Sequence, residues 1–289
     1  METLVTDPFI EICNLLPIYD LIKMTLVSQL LKKRIREYKW DHIITIFRNI
    51  KHMIHICTEY HFNKFKINDI DISGYEHYLS GAKYLDFTRY IYARNNYSDQ
   101  NIKYFSNCET LILAYCNLIT DEGVKYLVNC KYLDLSYCKF ISDKSIKSLI
   151  NCEKLNLRGC KLITDKSLKY LEKCKELCLI GLNVTDKGVK YLTNCHTLDL
   201  SYCCFLTDKS IKYLVNCKEL DLEGCYKITD NGLKYLQNCE KLNIRECKLI
   251  TDEGVKYLEK CVYLNISGCT QISQKMITHL YATVKWLNV

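Results

Sequence analysis

The residues best suited to chemistry in this 289-residue chain are its nineteen cysteines. Fifteen of them fall into two columns that recur along the sequence. The first column is Cys108, Cys130, Cys152, Cys174, Cys195, Cys217, Cys239 and Cys261, and the second is Cys116, Cys138, Cys160, Cys203, Cys225, Cys247 and Cys269. Cysteine thiolates bind zinc, attack electrophiles and pair as disulfides, so the spacing of the columns has to decide among these chemistries.

The spacing is not typical of a reactive or metal-binding site. Zinc sites draw four ligands from close cysteine pairs, whereas the columns alternate in steps of 8 and 14 residues. His196 follows Cys195, but Cys195 stands in an inward-facing column, so no nucleophile and base are paired. Four further histidines also lack a carboxylate or thiol at a ligand spacing: His42, His52, His55 and His61. We expect buried structural thiols, no metal, no cofactor and no enzymatic activity.

The composition indicates an intracellular protein. The chain begins with neither the basic start nor the small-residue cleavage site of a signal peptide, and no apolar run reaches the ~18 residues of a membrane span. We therefore expect a reduced compartment, the cytoplasm or nucleus, and no membrane partner. The abundance of Lys, Asn, Ile and Tyr indicates an AT-rich genome, such as that of a large DNA virus or a protist.

Both cysteine columns belong to one repeated line, Asn-Cys-x-x-Leu-x-Leu-x-x-Cys-x-x-Ile-Thr-Asp-x-x-Val-Lys-Tyr-Leu, whose clearest copy is 107–127. Its first cysteines are 22 residues apart, except for 21 between Cys174 and Cys195. A fixed period of about 20–29 residues around Leu-x-Leu is typical of a leucine-rich-repeat solenoid. The alternating leucines predict a short strand, and Thr-Asp predicts a helix start. We expect an α/β solenoid with a parallel β-sheet on the concave face and short helices on the convex face.

The predicted domain limits follow from the copies. Eight copies are clear from Cys108, and degenerate strand patterns occupy 62–67, 82–87 and 284–289. We predict a helical module over 1–47, with helix continuing through Ile44, then a helical linker with a degenerate first repeat over 48–81. The solenoid, of about ten units, fills 82–289. Its units resemble the cysteine-containing class of leucine-rich repeats found in many F-box receptors, although the period here is shorter than is usual in that class.

The first 47 residues read as short helices separated by proline. Both prolines of the chain, Pro8 and Pro17, lie there, and Phe9, Ile12 and Leu16 recur at helical spacing. The stretch resembles an F-box. That resemblance is carried by Leu4, Ile12, Leu16-Pro17, Asp20-Leu21 and Leu26-Val27-Ser28, and Val5, Pro8 and Leu31 depart from the family pattern.

The F-box resemblance implies docking to a Skp-family adaptor and, through it, to a cullin. The adaptor-binding residues would be Leu4, Ile12, Leu16, Pro17, Leu21 and Val27. A second interpretation is that these helices only cover the apolar end of the first repeat, as any solenoid requires. The two interpretations are compatible.

A partner site is predicted where the copies disagree. The outward strand positions mostly repeat Asp or Asn, and seven candidates at or beside the next outward column vary: Tyr115, Tyr137, Arg158, Ile180, Tyr202, Glu223 and Arg245. Tyr and Arg are favoured anchors of protein interfaces, so a protein substrate is expected here. The fourth clear unit is one residue short; either the loop absorbs the deletion, or a local kink places Cys178 and Ile180 at the centre of a contact patch.

The formal charge of +7 comes largely from one lysine per helix, at Lys103, Lys125, Lys147, Lys169, Lys190, Lys212, Lys234 and Lys256. We interpret this column as a solvated outer face and expect no nucleic-acid partner, because aromatic and basic residues do not alternate on one binding face. Together these features predict the substrate-recognition subunit of an F-box (SCF-type) ubiquitin ligase. The alternative is a non-enzymatic leucine-rich-repeat binding or inhibitor module.

Overall fold

Within the part of the chain that the structure describes, twelve strands of three residues form one parallel sheet in chain order. The computed structural model describes residues 33, 44–46, 49–60, 62–67, 72–87 and 97–289. The strands are β1 (Ile44–Ile46), β2 (Lys64–Lys66), β3 (Tyr84–Asp86), β4 (Thr110–Ile112), β5 (Tyr132–Asp134), β6 (Lys154–Asn156), β7 (Glu176–Cys178), β8 (Thr197–Asp199), β9 (Glu219–Asp221), β10 (Lys241–Asn243), β11 (Tyr263–Asn265) and β12 (Trp286–Asn288). The predicted leucine-rich-repeat solenoid is confirmed.

The register of the sheet follows from its leucines. Leu133 of β5 pairs with Leu155 of β6, which pairs with Leu177 of β7, and all three are buried. The residues on either side of each leucine point to the opposite face because side chains alternate along a strand. A shift by one residue would move every leucine to solvent, so the repeat fixes the pairing.

Short helices return the chain behind the sheet. They are α1 (Ile50–Glu59), α2 (Asp99–Ile102), α3 (Asp121–Val124), α4 (Asp143–Ile146), α5 (Asp165–Leu168), α6 (Asp186–Val189), α7 (Asp208–Ile211), α8 (Asp230–Leu233), α9 (Asp252–Val255) and α10 (Gln274–Thr283). Turns of 3₁₀-helix extend α2, α4, α5 and α9. As predicted, the hydroxyl of Thr120 accepts the backbone N–H of Glu122 at the start of α3, and Val124 and Leu127 are buried. No helix within the described ranges is long and apolar enough to cross a membrane.

The aspartate that begins each of these four-residue helices also ties its repeat to the next. Asp208 accepts the backbone N–H of Thr229 at 2.8 Å on one oxygen and the Thr229 hydroxyl at 2.6 Å on the other. The same pair of bonds joins every such aspartate from Asp99 to Asp252 to the Thr or Ser that caps the following helix. This ladder joins neighbouring helices by hydrogen bonds, in addition to the packing of their buried residues in the core.

Both cysteine columns are buried, as predicted. In the second column the Sγ of Cys138 donates to the carbonyl of Leu113 at 3.3 Å, and Cys160 donates likewise to Leu135 at 3.1 Å. In the first column the Sγ of Cys130 donates to the carbonyl of Cys108 at 3.2 Å. These thiols therefore satisfy carbonyls of the preceding repeat while filling apolar space.

The amino-terminal part of the sheet differs from the prediction. The helix expected through Ile44 is wrong at that position, because Ile44–Ile46 is a strand that pairs with Lys64–Lys66. Thr45 between the two isoleucines points inward and is fully buried. The six predicted adaptor-binding residues lie outside the described residues, as do most of 1–47, so the F-box module and the domain limits remain predictions.

Candidate partner-binding surface

One backbone conformation recurs where each strand turns towards its helix. Eight turn residues have φ between 59° and 76°, in the left-handed region. They are Tyr115, Tyr137, Gly159, Gly181, Tyr202, Gly224, Glu246 and Gly268, here called the turn column. Glycine adopts this conformation without steric cost, whereas a bulky residue there is strained by about 1–3 kcal/mol. The three tyrosines are therefore held where the repeat itself needs only glycine.

Tyr115, Tyr137 and Arg158 form the first cluster of predicted partner-binding residues. The rings of Tyr115 and Tyr137 stack with centroids 4.4 Å apart and planes 12° from parallel. The guanidinium carbon of Arg158 lies 5.5 Å from the centre of the Tyr137 ring, within cation–π range. Tyr115 and Arg158 are exposed and Tyr137 is half-buried, so the cluster presents aromatic surface and a positive charge to solvent.

Tyr202, Glu223 and Arg245 form the second cluster, three units further along. The hydroxyl of Tyr202 donates to the carboxylate of Glu223, and this bond raises the pKa of the tyrosine. Nη1 of Arg245 lies 3.5 Å from the same carboxylate. Tyr202 is 46% exposed although its hydroxyl is bonded to Glu223, and this bond favours one orientation of the ring.

Ile180 stands between the clusters, in the unit that is one residue short. The deletion is absorbed in the loop: β7 and β8 pair without interruption, and Leu182 fills the buried place of the missing second cysteine. Cys178 is half-buried, and burial raises the pKa of its thiol to about 11. Ile180 is half-buried on the same side, and its carbonyl accepts the N–H of Gly159 at 3.3 Å.

The Asp and Asn residues that repeat along the concave face have a structural role. The Oδ1 of Asp134 accepts the N–H of Ser136 at 2.8 Å, and that of Asn156 accepts the N–H of Arg158 at 3.0 Å. Each side chain thus closes the turn that leads to the turn column. Burial raises the pKa of Asp199 in this row, while its hydrogen bonds to Ser201 oppose that effect.

A further outward column, two residues before the Asp and Asn row, went unrecognised in the sequence. It contains Tyr132, Lys154, Glu176, Thr197, Glu219, Lys241 and Tyr263. Nζ of Lys154 lies 2.6 Å from Glu176, and Nζ of Lys241 lies 2.7 Å from Glu219. This column lines two shallow cavities of about 280 and 220 Å³ on the concave face. The strand period of two, applied backwards from the Asp row, would have revealed it.

The convex face corrects one expectation from the sequence. Lysine and tyrosine do alternate there: Nζ of Lys190 lies 4.8 Å from the centre of the Tyr191 ring, and the Lys169–Tyr170 and Lys212–Tyr213 pairs are at 5.2 and 5.1 Å. All eight lysines of the column are exposed, as predicted. From the sequence we expected that aromatic and basic residues do not alternate on one face. For the convex face that expectation is wrong.

The remaining candidate chemistry lies outside these surfaces. Among the residues that the structure describes, no group of three or more His, Cys, Asp or Glu side chains is arranged to hold a metal ion. A cavity of about 760 Å³ lies near the amino ends of β2 and β3, lined in part by Tyr60, Phe62, Tyr78 and Lys83. None of the seven predicted partner-binding residues borders it.

Comparison with known proteins identifies the fold. A family model described as leucine rich repeat matches residues 109–128, 131–149 and 240–258. No curated protein matches the chain by sequence. Among solved structures, Rad7 from the yeast Rad7–Elc1 complex is similar, with a TM-score of 0.62 and 15% identity over 92% of this chain and 82% of that one.

Two further structures share the architecture. An internalin from Listeria monocytogenes has a TM-score of 0.61 and 16% identity over 83% of this chain and 70% of its own. TLR13, solved in complex with the single-stranded RNA ssRNA13, has a TM-score of 0.59 and 18% identity over 78% of this chain and 36% of its own. At these identities the likeness concerns the fold.

Proposed function

We propose that this chain is a protein-binding leucine-rich-repeat receptor whose partner contacts the two tyrosine clusters. The observation that carries the proposal is the placement of Tyr115, Tyr137 and Tyr202 at positive φ. The repeat does not require an aromatic residue in this conformation, since four of the five other units use glycine there and the fifth uses Glu246. Backbone strain of this kind is found at binding sites, where rigid aromatic side chains serve as anchors.

The arrangement suits a protein more than a small molecule. The bordering cavities are shallow and open, and the side chains mix exposed rings, Arg158 and an acidic–basic pair. Such a mixture, with aromatic and arginine anchors beside polar groups, is typical of protein interfaces. The outward columns also run in parallel along the sheet, so an extended partner segment could contact several units at once.

The finer proposal is that the receptor belongs to an F-box ubiquitin ligase. It rests on the resemblance of residues 4–28 to an F-box, in which Leu16 and Pro17 would contact a Skp-family adaptor. Rad7, whose fold is similar, assembles with the second protein Elc1. The chain would hold its partner near the transferring subunits, so its own contribution would be proximity.

A pull-down with a purified Skp-family adaptor tests the finer proposal. The wild-type chain should retain the adaptor, and the double variant Leu16→Glu, Pro17→Lys should lose it. Lys33→Glu, at an exposed residue beyond the motif, serves as the control. Adaptor binding that is absent from the wild type or unchanged in the double variant refutes the F-box assignment and leaves the alternative, a leucine-rich-repeat binding or inhibitor module.

A second experiment tests the tyrosine clusters. Proteins captured by the wild-type chain should be lost by the triple variant Tyr115→Gly, Tyr137→Gly, Tyr202→Gly, which copies the glycine of other units. The control replaces three exposed convex tyrosines, Tyr126, Tyr235 and Tyr257, by serine, because Ser148 occupies that position in one copy. A partner that is retained by the glycine variant and lost by the serine control places the binding surface elsewhere.

A further inference from the structure

Two lysines, one within the helix and one directly after it, recur in four consecutive units on the convex face. Lys144, Lys166, Lys187 and Lys209 occupy the second helical position of α4 to α7, and Lys147, Lys169, Lys190 and Lys212 follow the ends of these helices. All eight side chains are exposed, and among the described residues none forms an ion pair with a carboxylate. We call these eight residues the lysine patch.

The patch is confined to the middle of the array. Helix α3 carries Glu122 at the second helical position, and α9 carries Glu253 there. Nζ of Lys125 lies 2.6 Å from the Glu122 carboxylate, and Nζ of Lys256 lies 2.5 Å from that of Glu253. Counted over the helix and the five residues after it, each of the four central units has one net positive charge. The units 121–129 and 252–260 each have one net negative charge.

This segregation of charge is not required by the fold. Glutamate is accommodated at the same position of the same template, and acidic residues are the more favourable choice near a helix amino terminus. Four lysines in place of glutamate therefore oppose the local helix dipole and leave like charges facing one another. The aspartates that begin these helices are occupied in the ladder, where they bond to Thr or Ser of the next unit.

Tyrosines lie within the lysine patch. Tyr170, Tyr191 and Tyr213 are half-buried, and each has the ammonium of the preceding lysine about 5 Å from its ring centre. The patch contains no arginine, and lysine is depleted at protein interfaces whereas arginine is enriched there. Lysine is an effective point charge for phosphate, and rings placed beside such charges can stack on bases.

We propose that the lysine patch binds single-stranded nucleic acid through its phosphate backbone, without sequence preference. Strands about 4.8 Å apart make each row of four lysines at least about 15 Å long, the length of a few nucleotides. A flexible strand can follow the row around a convex surface, whereas a flat membrane would meet it only tangentially. The lysine patch lies on the helices and contains none of the residues of the tyrosine clusters, so the inference is independent of the proposed receptor function.

The test measures fluorescence anisotropy of a labelled oligo(U) of about 15 nucleotides with the full chain. If four phosphates are contacted, raising the salt from about 50 to about 200 mM should weaken binding roughly fifty-fold. The variant Lys144→Glu, Lys166→Glu, Lys187→Glu, Lys209→Glu should bind at least about tenfold more weakly at low salt. It places glutamate at the helical position where α3 carries Glu122 and α9 carries Glu253, so it should retain the circular dichroism and urea midpoint of the wild type.

A matched control reverses four lysines on the loops before the helices, Lys139, Lys161, Lys227 and Lys248, with the same change in net charge. This control should bind within about twofold of the wild type. Three results would overturn the proposal: no binding by the wild type at low salt, equal weakening by both quadruple variants, or stronger binding of poly-glutamate or phosphatidylserine vesicles than of the oligonucleotide. The variant Tyr170→Ser, Tyr191→Ser, Tyr213→Ser should weaken binding by at least about fivefold if the rings stack on bases.

Discussion

The ring of Tyr202 lies over Gly224 of the next unit, so closely that a Cβ on the glycine would be 2.8 Å from Cδ1 of the tyrosine. Tyr137 and Gly159 repeat this relationship at the same distance. In both pairs the glycine is needed twice, once for its positive φ and once for the ring of its neighbour. Where the following unit carries tyrosine instead, as between Tyr115 and Tyr137, the two rings stack.

This pairing predicts a coupled response to substitution. Gly224→Ala should destabilise the chain by about 1–3 kcal/mol, because it adds a Cβ at φ 68° and displaces the Tyr202 ring. Tyr202→Gly should change the free energy of unfolding by less than about 1 kcal/mol, since relief of strain offsets the lost packing. In the double variant the alanine should lower the free energy of unfolding only through its strained positive φ, because no ring remains to be displaced. Urea denaturation of the four proteins gives the coupling energy.

Gly159→Ala with Tyr137→Gly provides a second, independent cycle at the equivalent position. A cost for Gly224→Ala that is the same with and without Tyr202 would show that the ring and the glycine are independent. In that case the glycine would be required for its backbone conformation alone.

The periodic sequence was sufficient to predict the solenoid because each clear copy repeats the same strand and helix signals. Ile44 was assigned wrongly for a local reason. Trp40, Ile43, Ile44 and Phe47 have the spacing of a helix face, and Ile44 with Ile46 has equally the alternation of a strand. Only pairing with Lys64–Lys66, which is not a local property, decides between them.

The candidate surface was predictable in its residues but not in its organisation. Variation among copies identified Tyr202, Glu223 and Arg245, but their contacts depend on which side chains adjacent units bring together. A tyrosine does not by its residue type indicate a positive φ. The conformation could be inferred only by aligning the tyrosines with the glycines that occupy the same position in other units. The hydrogen bond that Thr229 donates to Asp208, 21 residues earlier, likewise depends on the stacking of units.

The aspartate ladder should contribute substantially to stability. Asp208→Ala removes both acceptors of Thr229 and leaves its half-buried N–H without a partner, so we expect a loss of about 2–3 kcal/mol in urea denaturation. Glu122→Ala, which removes only an exposed ion pair, should change stability by less than about 0.5 kcal/mol. A loss at Asp208 as small as that of the control would mean that the leucine core alone aligns the units.

The burial of the cysteine columns predicts a simple pattern of thiol reactivity. Burial raises the pKa of Cys195 and Cys217 to about 12, so few of these thiols are ionised near neutral pH. Cys204 is exposed, and it should react first with a thiol reagent among the described cysteines. In native protein, Cys204→Ser should abolish one fast-reacting equivalent, whereas Cys217→Ser should not. Rapid modification of many thiols without denaturant would contradict the buried columns.

Acid should weaken the last step of the ladder. Hydrogen bonds from the hydroxyl and then the N–H of Ser273 lower the pKa of Asp252 below its ordinary value of 3.8. Because the folded state favours the ionised carboxylate, this contribution is present in full above the unfolded pKa and is lost as the pH falls through the lower folded value. Asp252→Asn should therefore be less stable than the wild type at pH 7, and the difference should shrink below about pH 4. Urea midpoints of the two proteins between pH 7 and pH 3 measure this, and a difference independent of pH would exclude the charge of Asp252 as its source.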